Sequence, residues 1–171
     1  MKITKLKKEQ INKKLLKSFI KLNNSYSPFL GPLDSIDQTK KLLNMSLYTL
    51  IVIDQDIVKG FCVVFKENSD YGSENYKYFN KKHKEFLYID RIGISGDLKK
   101  KGIGTSMYNY IFNNNENHVP VCAEVNSIPL NEASISFHLR LGFKDMHKQK
   151  ERFVKKTAKI IKEYKIRCMT D

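Results

Sequence analysis

Tryptophan is missing altogether, and proline occurs four times and glycine eight times in 171 residues. That scarcity excludes collagen-like and proline-rich linker chains, and each glycine or proline becomes a position that needs a reason. The three cysteines, Cys62, Cys122 and Cys168, are odd in number and far apart. They form neither a CxxC pair nor a Cys/His cluster, so neither a disulfide framework nor a metal is expected. Cys62 and Cys122 lie inside apolar runs and read as core residues. No apolar run approaches the roughly 20 residues that span a bilayer, so no membrane partner is expected. The first residues, MKITKLKKEQINKK, are basic but lack the apolar centre of a signal peptide, and cytoplasmic residence follows as the expectation. Acidic residues are also few: 18 against 31 basic, a formal charge of +13. Such a surface attracts polyanions in general. Its lysines are dispersed along the chain, so they read first as a solvated surface and identify no partner.

What is present suits one folded domain over residues 1–171, with 41% hydrophobic and 29% charged residues. Ile11, Leu15, Phe19 and Leu22 recur at helical spacing and predict a first amphipathic helix ending near Asn23-Asn24. Tyr26 to Pro32 reads as a turn-rich loop, after which Ser35 or Asp37 caps a short second helix through Leu43. Leu47–Ile53 and Ile57–Phe65 predict a hairpin about Asp54-Gln55-Asp56, with Gly60 a candidate bulge. Glu67 to Lys84 reads as a long polar insertion carrying Tyr71, Tyr76, Tyr78 and Phe79, a candidate substrate cover. A strand from Phe86, a helix over Ile103–Phe112, a strand over Val119–Val125 and a helix over Asn131–Leu141 follow. Asn131 serves as N-cap of that last helix and Gly142 as its terminator. In the tail, Val154, Ala158 and Ile161 suit either a helix or a hairpin, while Tyr164, Ile166 and Cys168 alternate as in a strand. The fold class is mixed α/β.

Phe86 to Thr105, FLYIDRIGISGDLKKKGIGT, is the most informative stretch. Strand, basic glycine turn, then helix is a physical recipe for holding a phosphate. Amides at a helix start point outward, the helix dipole favours negative charge there, and glycine admits close backbone approach. Asn131, Ser134 and His138 form a polar stripe on the later helix, with Ala133, Phe137 and Leu141 beside it. Read alone, these three are a cap, the residue after it and a solvated helix histidine.

Taken in order, the two segments resemble the GNAT superfamily of N-acetyltransferases. Lys99-Lys100-Lys101-Gly102-Ile103-Gly104 is similar to its Arg/Gln-x-x-Gly-x-Gly/Ala signature. Asn131 to Phe143 is similar to its Asn-x-x-Ala/Ser-x-x-Phe-Tyr-x-x-x-Gly-Phe pattern. The resemblance implies a central, mostly antiparallel mixed sheet flanked by helices, with a splayed strand pair that holds acetyl-CoA. Lys99, Lys100, Lys101, Gly102, Ile103, Gly104 and Thr105 would then hold the pyrophosphate. Ile92, Gly93 and Ile94 would pair with the pantetheine arm as an added strand does, and Asn131, Ser134, Phe137, His138 and Arg140 complete the cofactor set. Lys99 departs from the usual Arg or Gln, and His138 stands where many members carry a Tyr general acid. His138 is therefore the candidate acid.

A neutral amine needs a proton acceptor. Asp90, placed by alternation on one strand face with Tyr88, Ile92 and Ile94, and Glu124, on the neighbouring strand, are the candidate bases. The plainer reading of either is a structural ion pair. The implied activity is acetyl transfer from acetyl-CoA to the primary amine of a small molecule or peptide by direct transfer in a ternary complex. A CoA-binding sensor without chemistry and a basic nucleic-acid-binding module are the competing readings. The second finds little clustered charge to support it, and a homodimer stays open.

Overall fold

A computed structural model describes residues 1–155 and 158–169, with side chains through Lys144. Among the described residues, seven strands make one sheet: β1 Thr4–Lys5, β2 Tyr48–Asp54, β3 Ile57–Lys66, β4 Leu87–Ile94, β5 Val121–Asn126, β6 Lys144–Lys155 and β7 Ala158–Met169. Their order across the sheet is β1-β2-β3-β4-β5-β7-β6. All neighbours are antiparallel except β4 and β5, which run parallel. The helices are α1 Lys13–Asn24, α2 Ile36–Met45, α3 Glu74–Lys82, α4 Ile103–Asn113 and α5 Glu132–Arg140. Among the described residues, no helix is long and apolar enough to cross a membrane.

β2 and β3 are apolar on both faces because helices cover both. Ile51, Phe61, Val63 and Phe65 pack with Leu15, Leu16 and Phe19 of α1, Leu42 and Leu43 of α2, and Tyr76 and Phe79 of α3. Leu50, Val52, Cys62 and Val64 pack instead with Met107, Tyr108 and Ile111 of α4. Each large buried side chain is worth roughly 1.5–3 kcal/mol relative to exposure, so the sheet is held from both sides. Asn12 caps α1 and Ser35 caps α2, each accepting a hydrogen bond from a first-turn amide. Between Ser35 and Asp37, the cap is thus Ser35.

Three local readings change. The insertion is not all loop: Ser73 caps α3, whose Tyr76 and Phe79 are fully buried among Phe65, Phe86 and Tyr88. Val52 pairs with Gly60 and Ile53 with Val58, which makes Lys59, beside Gly60, the extra residue of the bulge. The tail is a hairpin of β6 and β7, so the helical alternative does not apply to Val154, Ala158 or Ile161.

Candidate active site

β4 and β5 pair at three rungs, Leu87 with Val121, Tyr88 with Cys122 and Ile89 with Ala123, and no further. Beyond Ile89 the strands part, while β7 pairs with the other edge of β5 along Val121–Asn126. The result is a V whose prongs are Asp90–Ile94 and Glu124–Asn126. One prong leads straight to the glycine turn and α4.

That turn follows a 3-10 turn at Gly96–Leu98. Lys59 reaches Asp97 at 3.0 Å and Ser95 donates to the same carboxylate. These two bonds, the Ser95 bond first, hold Asp97 below the usual carboxylate range. Lys100 and Gly102 both take positive φ, +62° and +78°. Gly102 is the N-cap of α4, and no side chain caps the helix there. A Cβ on Gly102 would meet nothing within 4 Å. The first-turn amides of α4, which have no partner inside the helix, begin at this open position, next in sequence to three exposed lysines, Lys99, Lys100 and Lys101. Gly104 has a different reason: a Cβ there would lie 3.3 Å from the Phe137 ring of α5. Such a cradle fits a phosphate group.

At the base of the V the side chains do not lie as simple alternation requires. Val64 pairs with Ile89 and Val63 with Arg91, so Asp90 is an extra residue in β4. A bulge of this kind resets which face each later residue takes. Tyr88 joins the α1–α3 layer, whereas Ile92 and Ile94 join the α4 layer. The expectation that Tyr88, Asp90, Ile92 and Ile94 share one face is corrected accordingly.

Asp90 accepts from the Tyr71 hydroxyl on one oxygen and from Arg91 Nε, at 2.6 Å, on the other. Its side chain is 4% exposed and that of Arg91 10%. Arg91 Nη1 donates onward to Asn23 Oδ1 at 3.0 Å and to the Gly31 carbonyl at 3.2 Å. Burial is the largest influence and works against the Arg91 charge, but Asp90 and Tyr71 together outweigh it and raise the guanidinium pKa. Burial and then Asp90 push the Tyr71 hydroxyl up. Burial, Glu124 and Asp90, in that order, push Tyr88 up, so both phenols stay protonated. Glu124 is half-buried on the opposite prong, one position past the last rung.

His138 lies elsewhere. It is 2% exposed, ringed by Tyr108, Phe137 and Phe143. Its Nδ1 faces the Ser134 carbonyl at 2.8 Å, which can only accept, so that nitrogen carries the proton. Nε2 then accepts from the Tyr108 hydroxyl at 2.6 Å. Both nitrogens are engaged inside the fold, which removes the geometry a proton donor needs and also the solvated-histidine alternative. Asn131 caps α5 by accepting from Ser134 N at 3.2 Å, Phe137 packs on Gly104, and Arg140 is exposed at the far end of the helix.

Four residues at the V escaped sequence reasoning: Tyr26, Tyr71, Arg91 and Asn23. Tyr71 sits in the polar insertion, where its aromatic ring was the available signal. The ring stacks on Phe65 at 4.3 Å and so carries its hydroxyl to Asp90.

Compared with known proteins, residues 16–143 match the family model described as acetyltransferase (GNAT) family. No curated protein matches the chain. Among solved structures, smu.2055 from Streptococcus mutans UA159 is similar at 18% identity, with 99% of this chain and 98% of that one covered and a TM-score of 0.68. The ribosomal-protein-S18-alanine N-acetyltransferase from Escherichia coli is similar at 12% identity, 98% and 92% coverage and a TM-score of 0.65. Arabidopsis thaliana NAA60 in complex with acetyl-CoA is similar at 13% identity, 98% and 97% coverage and a TM-score of 0.67.

Proposed function

The chain belongs to the GNAT family of acetyltransferases, and from that premise we propose that residues 1–171 form one cytoplasmic acetyltransferase domain. It transfers an acetyl group from acetyl-CoA to a primary amine of a small molecule or peptide, directly, in a ternary complex. The observation that carries this is the V itself: β4 leaves β5 after Ile89 and Ala123, next to the uncapped start of α4. When bound, acetyl-CoA supplies an acetyl group already activated as a thioester.

The chain's own residues do the rest. The amides at Gly102–Thr105 and the charges of Lys99, Lys100 and Lys101 hold the pyrophosphate. Ile92, Gly93 and Ile94 offer a strand edge to the pantetheine arm, and α5 backs the turn through Phe137 against Gly104. Asn131, Ser134 and Arg140 remain on the cofactor side as binding residues. Asp90 and Glu124 face the point where the strands part. Both oxygens of Asp90 already accept hydrogen bonds, so it acts by holding Tyr71 and Arg91 in position, and Glu124 takes the ammonium proton, through water where the gap requires it. No side chain of α5 has to donate a proton, since a thiol with a pKa near that of cysteine, about 8.5, leaves as an anion that solvent protonates.

Thiol release measured over a panel of amines, polyamines and short peptides tests the proposal. Turnover is expected with at least one amine and at background level for Glu124→Gln. Binding of acetyl-CoA without turnover on any amine would instead support the sensor reading, which the engaged His138 favours.

A further inference from the structure

Tyr26 follows α1 by two residues and reaches across to the V. Its hydroxyl accepts from the Ile94 amide at 2.8 Å and donates to the Ile94 carbonyl at 2.6 Å. One hydroxyl has a donor and spare lone pairs, so it can satisfy both backbone groups of one residue. A residue of an added antiparallel strand would do the same with its own N–H and C=O. Ser95 N bonds to Lys59 O on β3, so by alternation Ile94 turns its amide and carbonyl away from β3, towards the opening. The ring is engaged too: Lys99 Nζ stands 5.0 Å over it, a cation–π contact with the lysine that opens the glycine turn. On the other prong Asn126 Nδ2 donates to the Pro28 carbonyl at 3.4 Å. The loop after α1 is thus fastened to both prongs of the V.

We infer that Tyr26 is a built-in competitor for the strand edge of β4, so that acetyl-CoA binding and release of the Tyr26–Pro32 loop are one coupled event. The inference rests on the reading that Ile92–Ile94 receive the pantetheine arm. Its consequence concerns order: the loop that borders the acceptor side is remodelled when the donor arrives. Arg91 keeps the far end of that loop in place through the Gly31 carbonyl.

Calorimetric titration of the full chain and of Tyr26→Phe with acetyl-CoA, and separately with ADP, tests this. ADP has a pyrophosphate but no pantetheine arm. The substitution keeps the ring and its lysine and removes the hydroxyl alone. Tyr26→Phe is expected to bind acetyl-CoA about three- to tenfold more tightly and ADP within about twofold of wild type, the size of about one net hydrogen bond, since water takes up part of what the hydroxyl gave. Amide hydrogen exchange at Ile94, measured without ligand, is expected to be faster in the variant. Equal or weaker acetyl-CoA binding by Tyr26→Phe, or unchanged exchange at Ile94, would overturn the inference and leave the functional reading intact. Failure of both proteins to bind acetyl-CoA would overturn both.

Discussion

Two imidazole nitrogens engaged inside the molecule decide what His138 does. Replacing it with Ala removes bonds to Tyr108 and Ser134 and leaves a hole beside Phe143. A stability loss of about 2–4 kcal/mol is expected in urea unfolding. Acetyl transfer by the folded fraction should fall less than about tenfold; a loss of several orders of magnitude would restore His138 to the chemistry. Tyr71→Phe makes the opposite kind of prediction. Loss of its bond to Asp90 should lower kcat about tenfold, or about 1.4 kcal/mol, with the KM for acetyl-CoA unchanged. An equal change in both would mean that Tyr71 only holds the insertion down. The carboxylates were legible as residue types within two neighbouring strands. Their partners were not, because one extra residue at Asp90 redirects every side chain after it, and hydrophobic alternation does not register such a bulge.

Among the elements, the turn between β4 and α4 was legible in full, since glycine spacing, lysines and a following helix are local features. Gly102→Ala places a side chain at φ +78°, which costs about 1 kcal/mol of stability, and sets a methyl group in the open cradle. Acetyl-CoA affinity should drop at least about tenfold, as read by calorimetry, while Gly72→Ala, which is also open but lies in the insertion, should leave it unchanged. Gly93→Ala should act on the fold instead. Its Cβ would stand 2.7 Å from the Phe61 ring, an overpacking cost of about 1–3 kcal/mol. The helix α3 escaped notice because its lysines and asparagines hide a buried face of little more than Tyr76 and Phe79. The tail was ambiguous for a related reason: Val154, Ala158 and Ile161 fit two periodicities, and pairing of β6 with β7 decides between them.

For the whole molecule, the +13 charge sets the ionic-strength response more than the specificity. Raising salt from about 0.05 to 0.5 M shortens the screening length several-fold and should weaken acetyl-CoA binding about three- to tenfold through the exposed turn lysines. The topology followed from the family resemblance carried by two motifs in order, whereas the side proposed for the acceptor, with α1, the loop after it and the insertion, depends on long-range contacts such as Tyr26 with Ile94 and Arg91 with Asn23. Acetyl-CoA bound in the V of β4 and β5 would shield both the strand edge and the glycine turn. In amide hydrogen exchange with and without acetyl-CoA, joint protection of Ile92 and of Gly102–Thr105 is expected; protection confined to other segments, or none, would rule out binding in the V.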